Sequence, residues 1–231
     1  MRTLTSLLRC TTTVALCVRM MMSSKASQVF EKQPVVLLDG GTGEELLTNG
    51  GVPDDREIWS AVAVVKEEYH ENLKRVHQSF LQAGAQAITT NSYGIVPGVG
   101  FSDEEIRKYC GIAGRLAREV AVSVNVDVLV LGSLGPLVES YRPDLILEHA
   151  RGVQVYALMV EALAPYTDAF LAETLSCTEE ALQVIDAVKN TQPLLVSFTV
   201  DSAGCLRSGE TAGAAIPRVL DHCHLHDAKR T

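Results

Sequence analysis

Acidic, amide and hydroxyl side chains follow several apolar runs of the sequence, and they are its main candidates for chemistry. These residues are Asp39-Gly40-Gly41, Thr90-Asn91-Ser92-Tyr93 and Glu173-Thr174. The carboxylates of Asp39 and Glu173 could jointly hold an ammonium group, and the backbone amides of Gly40 and Gly41 could receive a carboxylate. The pattern therefore predicts a pocket for a free α-amino acid.

Alternating strands and helices are needed to bring these residues together. The predicted strands are 34–39, 87–90, 126–131, 169–173 and 193–200, and the predicted helices are 58–81, 102–124, 143–163, 178–190 and 210–222. Successive β/α units imply a parallel sheet, whose strand ends collect functional residues at one edge. An open doubly wound sheet and a shortened (β/α)8 barrel both fit this order.

The charge distribution separates the N-terminal segment from the rest of the chain. Residues 1–30 contain four basic residues and no acidic residue, whereas the whole chain has a net charge of −8. A basic, hydroxyl-rich segment of this kind is typical of an organellar transit peptide, or it is a disordered extension. We therefore expect a leader at 1–33 before a domain at 34–231. Translation that starts at Met20, Met21 or Met22 would remove most of this segment, so a cytoplasmic or a mitochondrial location is expected.

Composition excludes several classes of protein. No stretch reaches the roughly 20 apolar residues that span a bilayer. The acidic charge argues against a protein that binds the nucleic-acid backbone, and no G-x-G-x-x-G fingerprint for a dinucleotide is present. A small molecule is therefore the expected partner, while the sequence says nothing of the oligomeric state.

The order of the short motifs resembles the homocysteine S-methyltransferase family over about 35–215. The matching segments are Leu38-Asp39-Gly40-Gly41, Ile58-Trp59-Ser60-Ala61, His77 to Ala85, Thr90-Asn91-Ser92-Tyr93, Gly132 to Pro136, Ala172-Glu173-Thr174 and Val196-Ser197-Phe198. The resemblance implies an α/β fold of the (β/α)8 TIM-barrel type. About five of the eight β/α units are encoded, so the barrel is expected to be incomplete and truncated at its C-terminal side.

The resemblance also implies a homocysteine site. Its implied residues are Asp39, Gly40, Gly41, Thr90, Asn91, Tyr93 and Glu173. By this likeness, Asp39 and Glu173 bind the amino group, and the Gly40 and Gly41 backbone with Thr90 meets the carboxylate. The remaining two residues line the pocket near the sulfur.

In the family, a zinc ion held by three cysteine thiolates binds the homocysteine sulfur. The thiolate then takes a methyl group from a sulfonium donor, S-methylmethionine or S-adenosylmethionine, and methionine forms. This sequence lacks the expected Asn-Cys and Gly-Gly-Cys-Cys motifs. No metal ligand or catalytic residue is therefore assigned, and we expect the chain alone to be inactive. A non-catalytic amino-acid-binding or interaction protein of the same fold is the alternative. The His/Cys-rich segment 222–227 is predicted to be a solvated tail.

Overall fold

The computed structural model describes residues 8–10, 13–18, 24–33, 35–55, 57–124, 127–189 and 191–228. Its strands are β1 (Leu8–Cys10), β2 (Thr13–Val18), β3 (Ala87–Thr89), β4 (Leu129–Leu134), β5 (Ala169–Leu175) and β6 (Leu194–Thr199). Its α-helices are α1 (Lys25–Lys32), α2 (Thr42–Thr48), α3 (Val62–Val65), α4 (His70–Gln82), α5 (Asp103–Ser123), α6 (His149–Leu163), α7 (Thr178–Val188) and α8 (Ala212–Ala228). Within these residues, no helix is both long and apolar enough to cross a membrane.

The six strands form one sheet in the order β1-β2-β6-β5-β4-β3. Strands β3 to β6 run parallel to one another, with helices between them, so the predicted α/β class is confirmed. Strand β2 instead pairs antiparallel with β6, from Thr13 opposite Thr199 to Val18 opposite Leu194. The N-terminal strands β1 and β2 thus cover the edge of β6 that an incomplete barrel would leave open.

Apolar side chains cover both faces of the parallel sheet. The larger core contains Phe170 and Ala172 of β5 together with residues of the surrounding helices. The smaller core, on the other face, contains Ala169 and Leu171, with side chains from α1 packed against it. Alternate residues of β5 thus belong to opposite faces, as the period of two in a strand requires. The candidate site lies on the face that carries Leu171, at the carboxyl ends of the strands.

The first predicted strand, 34–39, is reduced in the structure to a single bridge between Leu38 and Ala87 of β3. Its first residue lies outside the described residues. Val35 and Leu37 are 66% and 52% exposed, so the prediction of a buried strand is wrong. The segment is hydrogen-bonded to β3. Val36 and Leu38 pack against the smaller core, whereas Val35 and Leu37 point away from it. Only one side of the segment therefore contributes to the core.

The predicted helix 58–81 is divided in the structure. A 3-10 turn at Trp59–Ala61, helix α3, a second 3-10 turn at Glu67–Tyr69 and helix α4 replace it. Lys66 adopts an extended backbone (φ −98°, ψ 114°) and breaks the helical path. The β-branched residues of α3 have low helix propensity, which favours a short segment at this point.

Three further elements differ from the prediction. Gly132 and Ser133 lie within β4 rather than after it, and α2 follows Gly41 where a loop is predicted. Helix α8 continues to Ala228, and His222 bonds to Asp186 at 2.7 Å, so the solvated-tail prediction is wrong where the structure describes that segment. The assignment of 1–33 as a leader stays a prediction.

Candidate functional site

Asp39 is held at the sheet edge by the last residue of β3. The backbone N–H of Thr89 donates to Asp39 Oδ2 at 2.7 Å, and the Thr89 hydroxyl donates to the same oxygen at 3.0 Å. The parallel bridge between Leu38 and Ala87 aligns the two segments, so that Asp39 comes beside Thr89. The carboxylate is therefore fixed by two donors that carry no charge.

Glu173 lies at the end of β5, where the strand contains a bulge. The register of β5 against β6 shifts between Ala172 and Leu175, and Thr174 has a φ of +63°. A left-handed conformation costs a non-glycine residue about 1–2 kcal/mol. The bulge returns Leu175 to the larger core while Glu173 stays on the face that carries Leu171. The Ser133 hydroxyl donates to Glu173 Oε1 at 2.5 Å and holds it there.

The Asp39 and Glu173 carboxylates are close enough to influence each other. Burial, opposed by the hydrogen bonds from Thr89 and supported by the nearby Glu173 charge, raises the pKa of Asp39 to about 7. Burial also raises the pKa of Glu173, against the Ser133 hydrogen bond. Among the described residues, no Lys, Arg or His side chain lies within ion-pairing distance of either carboxylate. The pair thus has the charge and the burial to receive a cation.

Tyr93 lies against the same site. Its hydroxyl bonds to Ser140 Oγ at 2.6 Å. Burial raises the pKa of Tyr93, the Glu173 charge adds to that rise, and a hydrogen bond with Thr174 opposes it. A Cβ atom on Gly135 would lie 2.7 Å from Cδ2 of Tyr93. Glycine at 135 therefore allows the tyrosine ring to lie against the chain that follows β4.

Thr90 and Asn91 are buried and already bonded within the protein. The Thr90 hydroxyl accepts from the Ser133 backbone N–H at 3.0 Å and lies 2.9 Å from Ser92 Oγ. The Asn91 amide donates to the Ser60 carbonyl at 2.8 Å. These contacts tie β3 to β4 and to the turn that carries Trp59. The roles of Thr90 and Asn91 toward a ligand stay predictions.

Gly40 and Gly41 connect Asp39 to helix α2. A Cβ atom on Gly40 would lie 2.9 Å from the Phe80 ring, so the backbone passes close to α4 at this point. The next residue after the pair, Thr42, has a buried hydroxyl with no hydrogen-bond partner among the described residues. A buried hydroxyl without a hydrogen-bond partner among the described residues therefore lies three residues after Asp39 in the sequence.

The sequence analysis assigns no role in the site to Thr89 and Ser133, the residues that position the two carboxylates. Counting two residues on from the inward-facing Ala87 and Leu131 reaches Thr89 and Ser133, just as counting on from Leu171 reaches Glu173. The period of two along parallel strands is thus the signal that identifies them.

The described cysteines do not fit the zinc site that the family resemblance implies. Cys110 is buried in α5, Cys177 follows β5, Cys205 lies in the loop after β6, and Cys223 is in α8. In the part of the chain that the structure covers, no three His, Cys, Asp or Glu side chains come together as a metal-binding group. The site therefore consists of carboxylates, hydroxyls and backbone.

Comparison with known proteins connects this geometry to a family. The homocysteine S-methyltransferase profile matches residues 36–227. Homocysteine S-methyltransferase 1 of Brassica oleracea var. italica is 37% identical over 208 residues, covering 76% of this chain and 61% of the relative. Methionine synthase of Mycobacterium tuberculosis is 29% identical over 213 residues, covering 81% of this chain and 17% of that protein.

A solved structure shares the fold. The metallated form of the homocysteine methyltransferase MmuM from Escherichia coli has a TM-score of 0.71 and 24% identity, over 86% of this chain and 73% of that chain. The chain spans less than two thirds of the length of the curated relatives described above. By the match to most of its length, the chain belongs to the homocysteine S-methyltransferase family.

Proposed function

We propose that this chain binds homocysteine through the Asp39–Glu173 pair, as the acceptor site of a homocysteine S-methyltransferase. In the reaction, the homocysteine thiolate forms a bond to a methyl carbon of S-methylmethionine or S-adenosylmethionine. The bond from that carbon to the donor sulfonium breaks, its electron pair stays on the donor sulfur, and methionine results. The thiol proton passes to solvent before the attack.

The observation that carries this proposal is the unpaired state of two neighbouring carboxylates. Asp39 and Glu173 have hydroxyl and amide partners, and burial raises the pKa of each. An amino-acid ammonium group would donate charge-assisted hydrogen bonds to both and would offset their burial. Because its pKa is about 7, part of the Asp39 population loses a proton when the ammonium binds at neutral pH.

The opposite end of the amino acid has candidate partners next to Asp39. The Gly40 and Gly41 backbone follows Asp39 directly, and the unpartnered Thr42 hydroxyl comes next. We assign the substrate carboxylate to this stretch, together with Thr90 as the family resemblance implies. Asn91 and Tyr93 are assigned to the pocket wall near the sulfur.

Isothermal titration of the full chain with L-homocysteine tests the site. We expect Asp39→Asn and Glu173→Gln each to weaken binding at least about tenfold, because each loses a charge-assisted hydrogen bond. Glu180→Gln is the matched control: Glu180 is a buried carboxylate whose Oε2 accepts from the Ser176 backbone N–H. The ligand control is 4-mercaptobutanoate, which keeps the thiol and carboxylate but has no amino group. Equal binding of both ligands, or of all three variants, would contradict the proposal.

An activity measurement separates a methyltransferase from a non-catalytic binder. Methionine formation is measured with the full chain, homocysteine and S-methylmethionine. Product above the uncatalysed rate supports the enzyme. Homocysteine binding without product is expected for a chain without the zinc cysteines, and it is the result that the amino-acid-binding alternative also requires.

We also propose that residues 1–33 are a leader before the barrel domain at 34–231, with a cytoplasmic or mitochondrial location. The basic, acid-free composition of residues 1–30 supports this assignment. Imaging of a C-terminal fluorescent fusion tests it, with Met1→Ala as the variant that restricts synthesis to the starts at Met20–Met22. Loss of mitochondrial signal in that variant is the expected result, and a secreted fusion would contradict it.

A further inference from the structure

Three loops meet beyond the Asp39–Glu173 pair. Tyr93 follows β3, Ser140 and Tyr141 follow β4, and Arg207 lies in the loop after β6. The Tyr93 hydroxyl bonds to Ser140, the residue before Tyr141, and the Arg207 guanidinium carbon lies 5.2 Å from the centre of the Tyr141 ring. These contacts form a continuous path from Tyr93 to Arg207.

The loop that carries Arg207 is fixed close to Glu173. The backbone N–H of Ser208 donates to the Ser176 carbonyl at 3.1 Å, and Ser176 is three residues beyond Glu173. Leu206, on the other side of Arg207, is buried and bridges to Val200. Buried or bonded neighbours on both sides thus fix the backbone around Arg207.

Tyr141 has the features of a contact residue rather than a core residue. It is 54% exposed and has a φ of +67°, a left-handed conformation that is unfavourable for a tyrosine. Its exposed ring provides the face on which the Arg207 guanidinium lies. An arginine stacked in this way keeps its N–H donors free at the edge of the guanidinium plane.

Arg207 differs from its neighbour in charge pairing. Within the described residues, no carboxylate lies within ion-pairing distance of Arg207, whereas Arg142 bonds to Asp144 at 2.7 and 2.8 Å. A positive guanidinium without a carboxylate partner among the described residues thus lies on the loop that bonds to the chain just after β5. The Tyr141 ring can face a cationic centre, while the guanidinium stacked on it can bind a carboxylate.

From this geometry we infer that Arg207 and Tyr141 form a rim subsite for the carboxylate of the methyl donor, which selects sulfonium donors that carry a carboxylate. The inference rests on the proposed function for the identity of the donor. The donor carboxylate accepts hydrogen bonds from the Arg207 guanidinium, and the sulfonium lies toward the Tyr93 and Tyr141 rings. The homocysteine site on Asp39 and Glu173 is separate from this subsite.

Dimethylsulfoniopropionate is the probe that tests this subsite. It carries a sulfonium and a carboxylate but no ammonium group, so it lacks the group that the Asp39–Glu173 pair is proposed to bind. Isothermal titration of the full chain compares it with its methyl ester, which has no negative charge. We expect Arg207→Gln to weaken binding of dimethylsulfoniopropionate about tenfold and to leave binding of the ester unchanged.

Two further variants serve as controls for charge and for stacking. Arg142→Gln removes the same charge from the adjoining loop and is expected to leave binding unchanged. Tyr141→Leu removes the ring under Arg207 and is expected to give a smaller loss than Arg207→Gln. Circular dichroism verifies that each exposed substitution leaves the fold intact.

The outcomes distinguish this inference from the proposed function. Equal affinity of the unaltered chain for the probe and its ester overturns the rim subsite, and so does equal loss in Arg207→Gln and Arg142→Gln. Homocysteine binding that is insensitive to Asp39→Asn overturns the proposed function instead. If Arg207→Gln weakens homocysteine but not dimethylsulfoniopropionate, the carboxylate subsite belongs to the acceptor and the inference is wrong.

Discussion

The two ends of strand β5 carry carboxylates in contrasting environments. Asp168, directly before the strand, accepts from Arg118 Nη2 at 2.8 Å and from the Val130 backbone N–H at 2.8 Å. Glu173, near the other end, accepts from the Ser133 hydroxyl and has no cationic partner among the described residues. Asp168 is paired within the protein and stabilises the fold, whereas Glu173 leaves charge available to a ligand. In parallel β/α folds, the carboxyl end of a strand is the one that carries function.

The largest expected effect is a loss of stability when Asp168, the paired carboxylate before β5, is replaced. Asp168→Ala leaves the Arg118 guanidinium and the Val130 N–H without their acceptor, and both are partly buried. We expect the free energy of unfolding, measured with urea, to fall by about 2–3 kcal/mol. Homocysteine affinity of the remaining folded protein is expected to be unchanged. A loss below about 0.5 kcal/mol would mean that the paired end does not stabilise the fold as the comparison requires.

Asp39, which interacts with Glu173 at the unpaired end, is expected to make the stability of the protein depend on pH. The pKa of Asp39 is about 7 in the folded protein and near 3.8 when unfolded. The folded state therefore binds the proton more tightly, and stability falls as the pH rises from about 4 through 7. Asp39→Asn is expected to remove about 1–2 kcal/mol of this decline, measured as urea unfolding at pH 5 and pH 8. Identical pH profiles of the two proteins would contradict the assignment.

Glu173→Gln tests the same end without relying on Asp39. The glutamine can keep the hydrogen bond from Ser133 and removes a buried negative charge. We expect the free energy of unfolding at pH 8 to rise by up to about 1 kcal/mol, while homocysteine binding weakens. Asp168→Asn serves as its counterpart, with a loss of stability and no loss of binding. A Glu173→Gln protein that is less stable than the original would remove the distinction between the two ends.

The smallest expected effect is the loss of stability when His149 of α6 is replaced. His149 bonds through Nδ1 to Glu179 at 2.6 Å and through Nε2 to Asp186 at 2.9 Å, so both nitrogens require protons. These carboxylates raise the pKa of His149, with Glu179 the larger cause. The stabilisation is present below about pH 6.5 and is lost as the pH rises through the folded pKa.

For this partly exposed cluster, we expect His149→Gln to lower stability at pH 6 by only a few tenths of a kcal/mol. The thermal midpoint at pH 6 and pH 9 measures the effect. A loss that is equal at both pH values would show that packing, not charge, is responsible.

The approach of Asp39 to Glu173 is predictable because parallel strands end at one edge of a sheet. The details of that approach are not. The bulge at Glu173–Thr174 depends on how Leu175 returns to the core, and no local pattern in the sequence marks it. The uncharged partners Thr89 and Ser133 follow from counting alternate residues, but only when the strand ends are known to within one residue.

The elements least predictable from sequence depend on distant contacts. Strand β2 pairs with β6, which lies far from it in the sequence, and no periodicity within residues 13–18 identifies that partner. The prediction of one helix over 58–81 is wrong for a related reason. Tertiary packing determines the turns around Trp59 and Lys66, and these turns divide the segment into short pieces. Propensity and periodicity describe an element alone, whereas these elements are defined by their neighbours.

The pairing of β2 with β6 has a consequence for how the protein is made. The ribosome synthesises residues 13–18 before the β/α units that follow them, and their partners at 194–199 emerge only after those units. The sheet therefore gains its second and sixth strands as neighbours only in a late, long-range closure step, which is slow because it closes a loop of nearly the whole chain. Until that step, β2 and β6 each expose an unpaired strand edge, which is prone to aggregation.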